Sequence, residues 1–362
     1  MISIVTLTKK LVAFQTVTDN GDSLVSAFKF IQEFFNNSGS EFDTRILNQK
    51  KTKAIVVLPS GINRPDILLV GHMDVVAADK KLFVPRVVGD KIIGRGSFDM
   101  KGPIAAMMMA LIEYVQKNPK ASVGLLITSD EERGGFEGMG QLIKQKRFQP
   151  KIAIVPDGGS DFVCVKGGKG VCTVKITAKG ISAHASRPWE GKNAIMNMAR
   201  ILVELERKYP GWRESKTMET TFAPTNLKME KLGGNVVPNE VEVVCDVRQV
   251  ENFDFPEFKK FVERKFRAIV EVRKYAQPYD AHLAKPLARQ FLRVMKKHLR
   301  KNPVKMMYPS TCDARFFAQI GIPVIVTRPA GGGAHGDGEW ISIRGLERFK
   351  EILADYLQSY NN

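Results

Sequence analysis

Over roughly the first 166 residues, short apolar runs alternate with longer stretches of helical period. The runs Lys53–Leu58, Ile67–Val70, Val123–Thr128 and Ile152–Val155 are brief and rich in aliphatic and β-branched side chains, which predicts strands. Between them Leu11–Asn36 reads as mostly helical, behind an amphipathic N-terminus, and Pro103–Val115 and Gly138–Lys146 read as helices. The Pro103 helix opens on a residue whose missing N–H suits a first helical turn. Strands alternating with helices imply βαβ units and a largely parallel sheet.

From Gly168 the pattern changes. Val171–Ala178, Asn193–Lys208, Ala223–Glu230, Glu240–Val247, Pro256–Ala268 and Val270–Tyr275 follow one another as strand, helix, strand, strand, helix, strand. That order is the ferredoxin-like split arrangement, and the alternation of Val241, Val243, Cys245 and Val247 predicts one buried sheet face. After Pro278 a helix at Arg289–Lys301, a strand at Val324–Val326 and a final helix at Gly345–Ser359 resume the earlier style. The expected architecture is an α/β catalytic domain with a mixed, mostly parallel sheet flanked by helices, in segments 1–167 and 278–362, interrupted by an α+β domain at 168–277.

A chain of 362 residues is long enough to expect two domains. Lys9 and Lys10 interrupt the N-terminus, which therefore does not read as a secretory signal. The most apolar stretch, Pro103–Ile112, falls short of the roughly 20 residues needed to cross a bilayer. A cytoplasmic protein without a membrane partner is expected. The cysteines Cys164, Cys172, Cys245 and Cys312 lack close paired spacing, which argues for reduced, buried thiols. A net charge of +17 raises the question of nucleic acid. The basic residues, however, are scattered along helices and are not interleaved with stacking aromatics, so no nucleic-acid partner is expected. The charge reads first as a solvated surface, and attraction of carboxylate-bearing substrates by positive potential is the milder functional alternative.

Metal-capable side chains occur in five short motifs: His72 in GHMDVV, Asp99 in GRGSFDMKG, Glu131 and Glu132 in SDEERGG, Asp157 in IVPDGGS and His335 in GGGAHGDGEW. Each follows an apolar run or lies in a glycine-rich turn, and loops at the carboxyl ends of parallel strands converge on one crevice. Asp74, two residues after His72, is suited to fix the tautomer of a ligating imidazole. Adjacent carboxylates such as Glu131 and Glu132 are unfavourable in a confined site unless a cation stabilises them or one is protonated. Taken singly, His72 and Asp99 fit structural roles as readily, a polar strand end and an Asx turn or helix cap. Nitrogen and carboxylate donors without thiolates suit zinc, cobalt or manganese.

The ordered set GHMDVV, GRGSFDMKG, SDEE, GISAHAS and AHG-x-x-E resembles the dinuclear zinc metallopeptidases that include succinyl-diaminopimelate desuccinylase, acetylornithine deacetylase, aminoacylase, glutamate carboxypeptidase and peptidase T. The likeness spans nearly the whole chain. It implies two Zn2+ (Co2+ or Mn2+ as alternatives), one held by His72, Asp99 and Asp157 and the other by Asp99, Glu132 and His335, with Asp99 as bridge. It further implies Glu131 as general base and His184 as an oxyanion donor reaching across a dimer interface. Asn235, Arg248 and Thr311 would contact substrate, and the inserted domain would serve as lid and dimerisation element.

The expectation is a homodimeric two-metal hydrolase cleaving an amide bond in a small N-acyl amino acid or short peptide. The alternatives are an aminopeptidase or dipeptidase of the same family, or a metal- or peptide-binding protein without turnover. Asp157 leans toward peptides, because deacylases and carboxypeptidases of the family often place Glu there. The chain's length leans toward the desuccinylase and deacetylase branch.

Overall fold

A computed structural model of the chain describes residues 2–18, 20–49, 52–209, 219–230, 233–250 and 253–360. Its backbone falls into two compact units. One comprises Met1–Gly167, Asp280–Tyr308 and Cys312–Asn362, and the other Gly168–Tyr279 with Pro309–Thr311.

The first unit is built on a six-stranded sheet in the order Phe42–Gln49, Thr52–Pro59, Val123–Thr128, Ile67–His72, Ile152–Ile154, Val324–Ile325. The last three pairings are parallel and the first two antiparallel. Ile67–His72 and Val123–Thr128 are buried at every position. Strands covered on both faces can be continuously apolar in this way, which is why these runs stood out in the sequence. The helix Gly102–Lys117, apolar around most of its circumference, packs against the final helix Ile343–Tyr360.

Two expectations are corrected. Leu11–Asn36, in which position 19 lies outside the described residues, is not one helical stretch. Helix Ile4–Ala13 ends before a second helix, Gly21–Asn36, whose cap Asn20 accepts a hydrogen bond from the Ser23 N–H at 3.2 Å. Phe42–Gln49 is an edge strand that was not anticipated, because its half-exposed residues mix polar and apolar types without a clean period.

The second unit is a four-stranded antiparallel sheet in the order Thr221–Lys228, Glu240–Gln249, Gly170–Lys179, Ile269–Ala276. Cys172, Val174, Ile176, Val243, Cys245 and Val247 alternate onto one face and pack with Met198, Ile201, Leu205, Phe258 and Val262 of helices Ala194–Lys208 and Phe255–Phe266. This is the ferredoxin-like arrangement that the order of strands and helices predicted, with the buried face that the alternation predicted.

Candidate metal centre

Three adjacent parallel strands of the first unit deliver the site residues from their carboxyl ends. Ile67–His72 ends on His72, Val123–Thr128 leads to Glu131 and Glu132, and Ile152–Ile154 leads to Asp157. A small antiparallel sheet supplies the rest. Gly331–Gly332 pairs with Trp340–Ser342 around the loop carrying His335, and Trp340–Ser342 pairs with Lys91–Ile93, which runs toward Asp99. His335 itself has a left-handed backbone, φ 66°, an uncommon state for a residue other than glycine and one that clusters at functional sites. Gly96, at φ 80°, opens the Asp99 turn, where a Cβ would meet Val75 Cγ1 at 2.9 Å.

Two donor sets share Asp99: His72, Asp99 and Asp157, and Asp99, Glu132 and His335. His72 Nε2 lies 3.5 Å from Asp99 Oδ1 and 3.8 Å from Asp157 Oδ2. It is buried and, among the described residues, has no hydrogen-bond partner, an unusual state for a buried polar atom. In the second set His335 Nε2 lies 3.5 Å from Asp99 Oδ2 and 3.1 Å from Glu132 Oε1. Donors about 2.1 Å from a tetrahedral zinc stand about 3.4 Å apart, so both sets fit a cation of that size.

The electrostatics of the donor side chains agree. Burial disfavours a charged His72, yet Asp74 and Asp99 outweigh it and raise its pKa well above the ordinary value. Hydrogen bonds that His335 donates to the Asp99 and Glu132 carboxylates push its pKa up to about 10. Burial alone would raise Asp99, but the Arg328 guanidinium, with His335 and His72, holds it well below the usual carboxylate range. Burial, and next the charge of Asp157, push Glu131 well above that range. A concentration of carboxylates and imidazoles this perturbed is what cations relieve.

The supporting contacts are specific. His72 Nδ1 meets the Asp74 backbone carbonyl at 2.9 Å, while the Asp74 carboxylate stands 3.6 Å away. That carboxylate instead accepts the backbone N–H groups of Glu131 at 3.3 Å and Glu132 at 3.1 Å. Asp74 thus ties the histidine strand to the paired glutamates. Glu339 accepts from Arg95 Nη1 at 2.7 Å and from the backbone N–H groups of Gly96, Phe98 and Asp99 at 2.8, 3.0 and 3.0 Å. Lys101 is fully buried and donates to the Phe14 carbonyl at 2.7 Å. Arg328, Arg95 and Lys101 escaped the sequence reading, since a lone basic residue carries no periodic signal. Glu339 was visible only as the closing residue of AHGDGE.

Asn235, His184, Arg248 and Thr311 belong to the second unit. His184 and Val236 form a β-bridge, and Ala185 N–H donates to the Asn235 carbonyl at 2.8 Å, so His184 and Asn235 lie together. His184 is exposed, with Nδ1 2.7 Å from Ser186 Oγ. The Arg248 fork holds Asp246 through Nε at 2.6 Å and Nη2 at 3.1 Å, leaving Nη1 to donate to Ser310 Oγ at 3.2 Å. Thr311 Oγ1 is buried and has no hydrogen-bond partner among the described residues. Cys312 is buried too, and burial followed by the Asp157 charge raises its thiol pKa, which suits a structural thiol.

The fold and these donor sets define a metal-dependent hydrolase of amide or peptide bonds. The chain belongs to peptidase family M20/M25/M40, whose model matches residues 68–359. It is 26% identical to succinyl-diaminopimelate desuccinylase of Pelagibacter ubique, over 98% of each chain. It is 25% identical to the same enzyme of Nautilia profundicola, over 99% of this chain and 100% of that one. Its fold matches an M20 family metallo-carboxypeptidase from Sulfolobus solfataricus with a TM-score of 0.80 at 17% identity, over 99% of each chain. It matches aminopeptidase PepT from Bacillus cereus with a TM-score of 0.76 at 18% identity, over 99% of this chain and 98% of that one. No helix among the described residues is long and apolar enough to cross a membrane.

Proposed function

We propose that the chain is a two-cation amide hydrolase acting on a small N-acyl amino acid, a cytoplasmic enzyme working as a homodimer with Zn2+ in both sets. The observation that carries this reading is the sharing of Asp99 between two three-donor sets, with Glu131 beside them and outside both. His72, Asp99 and Asp157 would hold one ion, and Asp99, Glu132 and His335 the other. When bound, the ions lower the pKa of water and polarise a scissile carbonyl.

Glu131 takes a proton from the attacking water and hands it to the leaving amine. Outside both donor sets, its carboxylate is uncommitted and free for both halves of that transfer. Asp74 positions His72 and the backbone of both glutamates. The resemblance assigns His184 to the oxyanion, donated across a dimer interface built by the inserted unit, and Asn235, Arg248 and Thr311 to substrate polar groups. For Arg248 to grip a substrate carboxylate it must share or release Asp246.

The desuccinylase relatives over full length support an N-acyl amino acid substrate. Hydrolysis by zinc-loaded protein of N-succinyl-diaminopimelate, N-acetylornithine, other N-acyl amino acids, and free and blocked dipeptides tests it. Chelator-sensitive release from acyl amino acids is expected. Turnover confined to peptides with a free amine would replace the deacylase reading with a peptidase one, and no turnover of either class would favour a binding protein.

A further inference from the structure

Arg328 ends the apolar run PVIVT and is only 4% exposed. Its head is fixed by groups that are not metal donors. Nε donates to the Gly159 carbonyl at 3.0 Å, Nη1 reaches the Phe98 carbonyl at 3.5 Å, and the guanidinium lies 3.8 Å from the centre of the Phe98 ring. Held there, Nη1 stands 3.2 Å from Asp99 Oδ1 and 3.8 Å from Asp157 Oδ1. Asp157 therefore divides its oxygens, Oδ1 toward Arg328 and Oδ2 toward His72. Asp99 turns Oδ1 toward both Arg328 and His72, and Oδ2 toward His335. Among the described residues, Arg328 pairs with both carboxylates of the His72 set but only with the shared one of the His335 set.

We propose that Arg328 is a positioning residue that acts as a permanent third cation at this centre, locking the Asp99 and Asp157 carboxylates and weakening ion binding by the His72 set relative to the His335 set. The inference rests on the two-ion reading above. A guanidinium keeps its charge at any physiological pH, so it cannot relieve repulsion of an incoming cation by losing a proton. Buried charges are screened far less than exposed ones. The guanidinium draws on the shared Asp99 in both sets, but it also offsets the charge of Asp157 in the His72 set and leaves Glu132, in the other set, untouched. With cation in short supply, the His335 set fills first.

The test is a Zn2+ titration of metal-stripped wild-type, Arg328→Met and Arg328→Lys proteins against a competing chromophoric chelator. Elemental analysis gives the stoichiometry, and His72→Ala and His335→Ala backgrounds assign the two steps. Wild type is expected to bind two equivalents in separated steps, the weaker one abolished by His72→Ala. Arg328→Met should tighten that weaker step by about tenfold or more, and Arg328→Lys, which keeps the charge, should preserve most of the separation. Arg328→Gln serves in place of the Met variant if thermal melts show the latter unfolded. Two equivalents with an unchanged or wider separation in a folded charge-removed variant would overturn the role of Arg328 alone. A single equivalent in wild type and variant alike would overturn the two-ion reading and this role with it.

Discussion

Glu339 Oε1 accepts the backbone N–H of Asp99 at 3.0 Å, across 240 positions of sequence. The same carboxylate holds Gly96, Phe98 and Arg95, so the turn that aims Asp99 at both donor sets is organised around one buried anion. Glu339→Gln should weaken ion binding by about 10- to 100-fold, as loss of a group that orients a ligand commonly does. It should also cost about 3–5 kcal/mol of stability, because Arg95 is left buried without its partner. A chelator-competition titration and chemical denaturation measure the two effects, and wild-type values in both would show that the turn holds itself.

Glu131→Gln should keep both donor sets intact while lowering kcat by about 10²- to 10⁴-fold, the usual contribution of a positioned general base. Elemental analysis beside steady-state kinetics separates the two. Loss of metal in this variant would mean that Glu131 is a ligand and not the base.

Ion uptake should release protons. In the metal-free site His335 titrates at about 10 and is protonated at neutral pH, whereas a ligating imidazole must be neutral. Affinity therefore falls as pH drops below that value. For the metal-free fold the sign is opposite: the raised pKa stabilises fully below the unfolded value of about 6.5 and fades as pH rises through the folded one. Calorimetry in buffers of differing ionisation enthalpy reads the released protons, and a buffer-independent heat would contradict this assignment.

The proposed dimer has two readouts. Sedimentation should report about twice the 40.4 kDa chain mass, and His184→Ala should lower kcat by about 10²- to 10³-fold with metal content unchanged, as removal of an oxyanion donor does. A clean monomer with full activity would remove His184 from the site.

The strands that deliver His72, Glu131, Glu132 and Asp157 were legible because each is a short apolar run followed by a polar turn, and burial on both sheet faces writes that pattern directly into the chain. The alternation of Val241, Val243, Cys245 and Val247 was legible for the same reason. The edge strand Phe42–Gln49 was not, since half-exposed positions accept either residue type. Its assignment comes from hydrogen bonding to Thr52–Pro59.

Local sequence, then, determined most of the elements and marked the candidate donors, because hydrophobic period and side-chain chemistry are properties of near neighbours. Only the tertiary structure decided that the Asp74 carbonyl and not its carboxylate meets His72 Nδ1, and that Glu339 and Arg328 grip the Asp99 turn from far along the chain. Those contacts arise where strand ends and loops distant in sequence converge, and buried charges there must find partners that no local pattern records.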